Sequence, residues 1–233
     1  MQRKAIVIGA TGLVGRKLIK ELASLYDKVT VITRRPPEFI SSSMRVYQIN
    51  DFVNLAETMS SIDMDENTDA FSCLGTTKKQ AGSEEEFKRI DHGYNLQFAN
   101  FCKQKGVKHF FLLSAMGANT QSRFFYNQVK GTIEEDVKQL DFETLYIFRP
   151  SLLLGSHKGR PIEKISQTAF RLISPLVSEK VSAHPITAKR VAIAIAMTAH
   201  KHYHRINRQR IYESETPVVI TNKQMLAMTK IKH

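Results

Sequence analysis

The chain has 233 residues, two cysteines and a formal net charge of +12 at pH 7, and these values exclude several protein classes. The length suits one large domain with a full apolar core. Cys73 and Cys102 lack metal-ligand spacing, which argues against a disulfide framework and a zinc site. The apolar runs are too short to span a membrane, and a strand pattern in place of a signal peptide predicts a soluble, cytoplasmic protein.

The positive charge is concentrated in the last third of the chain. Residues 156–233 contain 14 Lys+Arg and 4 Asp+Glu, so +10 of the +12 lies there. One interpretation is a basic patch for nucleic acid or anionic lipid. The basic residues are scattered and lack interleaved aromatic side chains, which favours a solvated face beside a site for a phosphate-bearing cofactor. We therefore expect neither a nucleic-acid nor a membrane partner.

The first 25 residues predict a strand, a glycine turn and a helix. Residues 5–8 (AIVI) are a short apolar run, typical of a strand buried on both faces of a parallel sheet. Gly9 would allow a tight turn, Gly12 would let the backbone approach a pyrophosphate, and Gly15 would let the helix pack against the strand. The alternative is a turn with a structural role only. The residues predicted to surround the anion are Gly9, Thr11, Gly12, Leu13, Val14 and Gly15.

A second strand is predicted at residues 28–35 (KVTVITRR), where β-branched and apolar residues precede a Pro-Pro break. An acidic residue at its end would accept a hydrogen bond from the adenosine ribose 2′-hydroxyl. This chain has Arg34 and Arg35 instead, whose guanidinium groups suit a 2′-phosphate, so NADP(H) is predicted over NAD(H). The alternative is that the two arginines merely end an edge strand.

The next two predicted strands bring further residues to the same crevice. Residues 45–49 form the third strand. Asp51 behind it would either accept a hydrogen bond from the adenine amino group or cap the helix predicted at 54–62, and both interpretations stay open. The fourth strand covers residues 69–77. Because the carboxyl ends of parallel strands line the ligand crevice, its last residues are predicted along the cofactor: Leu74, Gly75 and Thr76.

Strands and helices continue to alternate after this point. The predicted elements are a loop at 78–83, a helix at 84–105, a strand at 108–114, a helix carrying Tyr126 and Lys130, and a strand at 144–148 that leads into Pro150, the last predicted cofactor contact. This alternation predicts an α/β fold, a doubly wound parallel sheet with helices on both faces.

The C-terminal part departs from the simple repeat. The predicted elements are a helical insertion at 160–177, an Ala-rich helix at 188–199, a last strand at 209–212 and a closing helix from Asn222. Residues 155–187 and 200–233 are predicted to form a small substrate-side extension of a single domain. His200, His202 and His204 alternate, but without an acidic or cysteine companion they favour a solvated helix end over a metal site.

Tyr126 and Lys130 are the candidate catalytic pair. They lie four residues apart on one predicted helix and therefore project from one face. A neighbouring ammonium lowers the pKa of a tyrosine, so Tyr126 would exchange a proton with a substrate oxygen while hydride moves at the nicotinamide. Ser114, at the end of the fifth strand, would orient and polarise that oxygen, and Lys130 would also hold the nicotinamide ribose. The alternative is a packed tyrosine and a surface lysine.

These motifs resemble the atypical short-chain dehydrogenases/reductases. GATGLVG, Ser114 and Tyr126-x-x-x-Lys130 match that family's pattern, and the segments CLGTTKKQAG, KHFFLLSAMGA, FYNQVKG and FRPSLLLG are similar to its Tat-interacting protein group. The resemblance covers residues 4–200 and implies a Rossmann-like, NADPH-binding fold with Ser114, Tyr126 and Lys130 at the active site. Roles through protein interaction have been proposed in that group, and they do not transfer on motifs alone.

Two functional hypotheses follow from these residues. The first is an NADPH-dependent oxidoreductase acting on a small carbonyl or hydroxyl compound, which the complete Ser, Tyr and Lys set favours. The second is a regulator that senses NADPH and binds a protein partner without turnover. A sugar-nucleotide epimerase is disfavoured by the short C-terminal region. The substrate depends on residues 115–125 and 155–187, and the sequence determines neither it nor the oligomeric state.

Overall fold

The computed structural model describes residues 2–154, 184–207 and 216–230, which are organised around a seven-stranded parallel sheet. Its strands are β1 (Lys4–Ile8), β2 (Lys28–Thr33), β3 (Met44–Gln48), β4 (Thr68–Ser72), β5 (His109–Leu113), β6 (Thr144–Arg149) and β9 (Val218–Thr221); two further strands, β7 (Leu153–Leu154) and β8 (Ile186–Thr187), pair separately. The order across the sheet is β3-β2-β1-β4-β5-β6-β9. The first strand therefore lies inside the sheet, with a neighbour on each side.

The helices of the described ranges are α1 (Gly15–Leu22), α2 (Leu55–Ser60), α3 (Lys78–Ala81), α4 (Glu84–Lys88), α5 (Tyr94–Gln104), α6 (Phe125–Lys138), α7 (Ala188–Asn207) and α8 (Asn222–Met228). A 3₁₀ turn (Phe52–Asn54) precedes α2, and a wide π-type turn (Arg89–Gly93) joins α4 to α5. None of these helices combines the length and apolar character needed to cross a bilayer.

Apolar residues fill both faces of the sheet. Along β1, Ala5 and Val7 belong to one apolar cluster, while Ile6 and Ile8 belong to the other. The first cluster also contains residues of α1 and α7, and the second contains residues of α2, α5 and α6. Helices therefore cover both sides, which is why β1 reads as an unbroken apolar run. The predicted doubly wound parallel sheet is confirmed.

Several predicted elements differ in detail. The loop expected at 78–83 contains α3, whose first turn is capped by Thr77: its Oγ1 accepts a hydrogen bond from the Gln80 N–H at 3.2 Å. The helix expected at 84–105 is interrupted by the wide turn Arg89–Gly93. The insertion at 160–177 and the strand at 209–212 lie outside the described residues, and the last strand of the described ranges is β9, at one edge of the sheet. The substrate-side extension stays a prediction.

The histidine segment at the end of α7 is only partly solvated. His200 and His204 are exposed as expected, but His202 is 6% exposed. Its Nδ1 lies 3.1 Å from the Tyr146 hydroxyl, and burial lowers its pKa to about 4. Residues two apart on a helix point to opposite sides, so a solvated end is the wrong interpretation for His202. Within the described ranges, no cluster of metal-binding side chains is found.

Candidate active site

The glycine turn between β1 and α1 leaves no room for larger residues at two of its three glycines. Gly9 has φ +75°, and a Cβ there would lie 2.3 Å from the Cys73 carbonyl carbon. A Cβ on Gly15 would lie 2.2 Å from the Gly9 carbonyl oxygen. At Gly12 the nearest atom to a Cβ is the Gly9 carbonyl oxygen, at 3.2 Å. The fold therefore requires glycine at positions 9 and 15, and constrains position 12 much less.

The residues after β4 run beside this turn. The Cys73 N–H donates to the Ile8 carbonyl at 3.1 Å, which continues the β1–β4 pairing past the last strand residue. Leu74 follows, half-buried, and its carbonyl accepts a hydrogen bond from the Asn95 side chain at 3.3 Å. Gly75 is exposed and Thr76 is half-buried. The predicted segment thus lies at the carboxyl edge of the sheet, next to the glycine turn.

The segment predicted to contact the adenosine carries two exposed arginines. Arg34 and Arg35 follow β2 directly, and both are exposed. The Thr33 hydroxyl donates to the Arg35 carbonyl at 2.7 Å, which holds the backbone at this corner. The Arg34 guanidinium lies 5.8 Å from the centre of the Phe52 ring. Both arginines are accessible to an anion, while their pairing with a 2′-phosphate stays a prediction.

Asp51 caps the 3₁₀ turn that follows β3. Its Oδ1 accepts hydrogen bonds from the Val53 N–H and from the Tyr94 hydroxyl, both at 3.0 Å. The Val53 hydrogen bond is the main reason that the pKa of Asp51 is lowered. Of the two interpretations left open by the sequence, the capping role is therefore confirmed. A contact with adenine stays a prediction.

Helix α6 carries the candidate catalytic pair, and its lysine is part of a buried ion pair. Lys130 is 5% exposed, and its Nζ lies 2.7 Å from Oδ1 of Asp91. The other carboxylate oxygen, Oδ2, accepts a hydrogen bond from the Thr76 N–H at 2.7 Å. Asp91 is thus a site residue that sequence reasoning missed. The only indication in the sequence was an acidic residue on the buried face of the helix predicted at 84–105.

The ionisation of Tyr126 differs from the sequence prediction. Although 41% of the Tyr126 surface is exposed, burial of its hydroxyl raises the pKa, which Lys130 lowers and Asp91 raises again. The net result is a raised pKa, not the lowered one that a lone lysine would give. Burial by itself would lower the pKa of Lys130, but Asp91 and Tyr126 outweigh it, so this pKa is raised. The tyrosine is a phenol and the lysine an ammonium.

Ser114 is bound to a second buried acid. Its hydroxyl donates to Glu134, which is fully buried and also pairs with Arg149. The Arg149 Nε lies 3.0 Å from Glu134 Oε1, and this hydrogen bonding raises the pKa of Arg149. A carboxylate only accepts hydrogen bonds, so the serine proton points at Glu134. Ser114 therefore does not offer its proton to the crevice in this arrangement.

The loops after β5 and β6 are tied together at the same edge of the sheet. Pro150 is buried, and its carbonyl accepts a hydrogen bond from the Met116 N–H at 2.8 Å. The Ser114 N–H donates to the Phe148 carbonyl at 2.8 Å. These contacts place Pro150 beside the start of the loop that leads to Tyr126.

Comparison with known proteins agrees with this description. The family described as "NAD dependent epimerase/dehydratase family" matches residues 5–180. Protein FMP52, mitochondrial, of Candida albicans is 39% identical over 157 residues, 65% of this chain and 68% of that protein. Protein HTATIP2 of Rattus norvegicus is 38% identical over 176 residues, 73% of this chain and 72% of that protein. The predicted resemblance to atypical short-chain dehydrogenases/reductases is confirmed.

A solved structure shows the same fold at low identity. MoeE5 in complex with UDP-glucose and NAD has a TM-score of 0.64 and 16% identity, over 97% of this chain and 80% of that one. At this identity the likeness concerns the fold alone. It agrees with a Rossmann-like parallel sheet covered by helices on both faces.

The relatives correct the predicted location. Fungal relatives from Candida albicans, Scheffersomyces stipitis and Debaryomyces hansenii are named mitochondrial proteins, so the prediction of a cytoplasmic protein is wrong. That prediction treated the apolar secretory leader as the pattern that decides location. Such a leader reports on secretion only, since mitochondrial transit peptides are amphipathic and have no long apolar run.

Proposed function

The chain belongs to the NAD dependent epimerase/dehydratase family, and we propose that it is an NADPH-dependent oxidoreductase that reduces a small carbonyl substrate. Tyr126 acts as the acid in this proposal, and Lys130 holds both the tyrosine and the nicotinamide ribose. Reduction of a carbonyl needs a proton donor beside the cofactor. In the proposal, neighbouring residues connect the glycine turn to Tyr126.

The proposal is supported mainly by one set of contacts. The Gly9 backbone packs directly against Cys73, two residues before Gly75. A Cβ on Gly75 would lie 3.7 Å from the Lys130 Nζ, and Lys130 is one helical turn from Tyr126. The glycine turn, the end of β4 and the tyrosine are thus neighbours along one edge of the sheet. A dinucleotide bound at the turn would extend toward Tyr126.

The remaining predicted contacts complete the cofactor site. N–H groups at the start of α1 suit a pyrophosphate, and Arg34 and Arg35 suit the 2′-phosphate of NADP(H). Further along, Leu74, Thr76 and Pro150 would lie beside the nicotinamide half. These assignments are supported by position at the carboxyl edge and by the accessibility of the two arginines.

The chemistry assigned to the protein is a proton transfer. The cofactor supplies a hydride to the carbonyl carbon when bound. Tyr126 then gives its hydroxyl proton to the carbonyl oxygen, and Lys130 stabilises the phenolate that remains. A tyrosine that is a phenol at neutral pH suits the role of acid in this direction. Ser114 would need to exchange its hydrogen bond with Glu134 before it could polarise the same oxygen.

An NADPH-sensing module with little turnover is the second candidate. The Ser114 proton is directed at Glu134. This observation favours a binding role in which Tyr126 and Lys130 hold the ribose without acting on a substrate. By likeness to the fungal relatives named mitochondrial, we also propose a mitochondrial location for either function.

Tyr126→Phe tests the proposed reaction. The variant should keep the fold and most NADPH affinity, yet lose turnover by about 100- to 10,000-fold, as expected for loss of a general acid. The measurement follows NADPH absorbance with a panel of aldehydes, ketones and quinones. Equal rates for wild type and Tyr126→Phe would contradict the assignment of the acid. Tight NADPH binding without turnover by wild type would favour the sensing module.

A further inference from the structure

Asp91 links three parts of the candidate site. It lies in the wide turn Arg89–Gly93, a departure from regular helix of a type often found at functional sites. The residue is 1% exposed, so its charge is removed from water and must be balanced by protein groups. Its two oxygens contact different partners: Oδ2 accepts a hydrogen bond from the Thr76 N–H, and Oδ1 forms an ion pair with Lys130. One carboxylate thereby connects the loop after β4 with helix α6.

The same carboxylate acts on Tyr126. Burial has the largest effect on the pKa of Tyr126; among the described residues, Lys130 lowers this pKa and Asp91 raises it, so the two charges act in opposite directions. An isolated ammonium would favour phenolate, whereas an ammonium paired with a carboxylate has little net field at a third group. The effect of Lys130 on the tyrosine therefore depends on its partner.

Two other charged groups near the pair, Glu134 and Lys78, have counter-charges of their own. Glu134 lies one turn beyond Lys130 on α6 and acts on the lysine, but it is paired with Arg149. Lys78 lies 6.0 Å from the ring centre of Phe125, the neighbour of Tyr126, and it is paired with Glu84. Within the part of the chain that the structure describes, Asp91 is therefore the acid paired with Lys130.

We propose that Asp91 is a positioning residue of this site, which holds Lys130 and the Gly75–Thr76 loop together and balances the ammonium charge one helical turn from Tyr126. This inference rests on the proposed function, because it concerns the lysine that would support the proposed acid, Tyr126. Asp91 touches neither the substrate nor the reacting atoms in this role. It acts through Lys130 and Thr76.

Two substitutions separate the charge of Asp91 from its hydrogen bond. Asp91→Asn removes the charge but keeps an oxygen that can accept from the Thr76 N–H, whereas Asp91→Ala removes both. Asp136→Asn is the matched control, because Asp136 on α6 pairs with His92 of the same wide turn at 2.5 Å. Asp136 thus joins the same two segments and has no contact with Lys130 or Thr76 among the described residues.

The main measurement is the titration of Tyr126 without substrate, by NMR of protein labelled at tyrosine Cζ, with Tyr126→Phe identifying the signal. Asp91→Asn should move the titration of Tyr126 to lower pH, within the range where circular dichroism shows an intact fold. Asp136→Asn should leave it unchanged. In a parallel NADPH titration, Asp91→Asn should stay within about threefold of wild type, and Asp91→Ala should bind about 5- to 10-fold more weakly.

A second background covers the case in which Asp91→Asn does not fold, since it leaves Lys130 buried without a partner. In Lys130→Gln, adding Asp91→Asn should again move the Tyr126 titration to lower pH. An unchanged titration in both backgrounds, with only a lower melting temperature, would overturn the proposal and make Asp91 purely structural. Because no substrate is present, this result is distinct from failure of the proposed reaction, which is judged by turnover alone.

Discussion

At the proposed catalytic end of the crevice, around Lys130 and Glu134, the charged side chains are buried and paired, whereas at the proposed adenosine end, at Arg34 and Arg35, they are exposed. Lys130 and Glu134 are 5% and 0% exposed, and each lies within ion-pair distance of an opposite charge. Arg34 and Arg35 follow β2 at the other end and face solvent. Both groups stand at the carboxyl edge of one sheet, so their difference comes from the elements packed around them.

The difference in burial determines whether the charged side chains at each end are already paired within the protein. A charge removed from water needs a protein counter-charge, so the catalytic end is assembled before any cofactor arrives. Exposed arginines are hydrated and screened, and they gain a strong partner only when a phosphate binds. We therefore expect substitutions at the catalytic end to change stability as well as function, and substitutions at the adenosine end to change binding alone.

The largest effect is expected at the glycine turn between the two ends. Gly12→Val should keep the fold, because a Cβ there needs the Gly9 carbonyl to move by only a few tenths of an ångström from 3.2 Å. It should abolish NADPH binding, since the side chain occupies the approach to the pyrophosphate. Calorimetry and circular dichroism would measure both. Gly15→Val is the contrasting variant and should not fold; normal NADPH binding by Gly12→Val would make the turn structural only.

A smaller effect is expected at the adenosine end. Arg34→Ala/Arg35→Ala should reduce the preference for NADPH over NADH by roughly 100-fold, because two charge-assisted hydrogen bonds to the 2′-phosphate are lost. The melting temperature should not change. Lys189→Ala/Lys201→Ala on α7 is the matched control, since it removes the same charge from exposed positions. Equal affinities of wild type for both cofactors by calorimetry would refute the NADP(H) assignment.

The smallest effect is expected from a charge change within the catalytic end. Glu134→Gln should destabilise the fold by about 1 to 2 kcal/mol, because it weakens the hydrogen bonds that join Ser114, Glu134 and Arg149. Glu135→Gln, which removes the neighbouring exposed pair with Lys138, should cost no more than about 0.5 kcal/mol. Urea unfolding of both variants would compare them. Equal losses would show that burial does not distinguish these two acids.

The secondary structure around the glycine turn and the two arginines could be predicted almost entirely from the sequence, because its elements are local. A strand, a glycine turn and a helix are contiguous in residues 4–22, and Arg34 and Arg35 directly follow a strand. The same holds for the spacing of Tyr126 and Lys130, which a regular helix converts into one face. The alternation of strands and helices likewise determined the parallel sheet, since parallel neighbours need crossovers.

Tertiary structure alone decided which charges meet. Asp91 and Lys130 are 39 positions apart, and the pair exists only because a wide turn in one helix faces α6 across the end of β4. Ser114 likewise hydrogen-bonds to Glu134, and Tyr146 hydrogen-bonds to His202. No local sequence pattern specifies either partner. Periodicity reports which face of an element is buried, but the partner of a buried polar group depends on how distant elements pack. The raised pKa of Tyr126 could not be predicted from the sequence, because it follows first from burial by distant elements and then from the opposing charges of Lys130 and of Asp91, a residue of another helical segment.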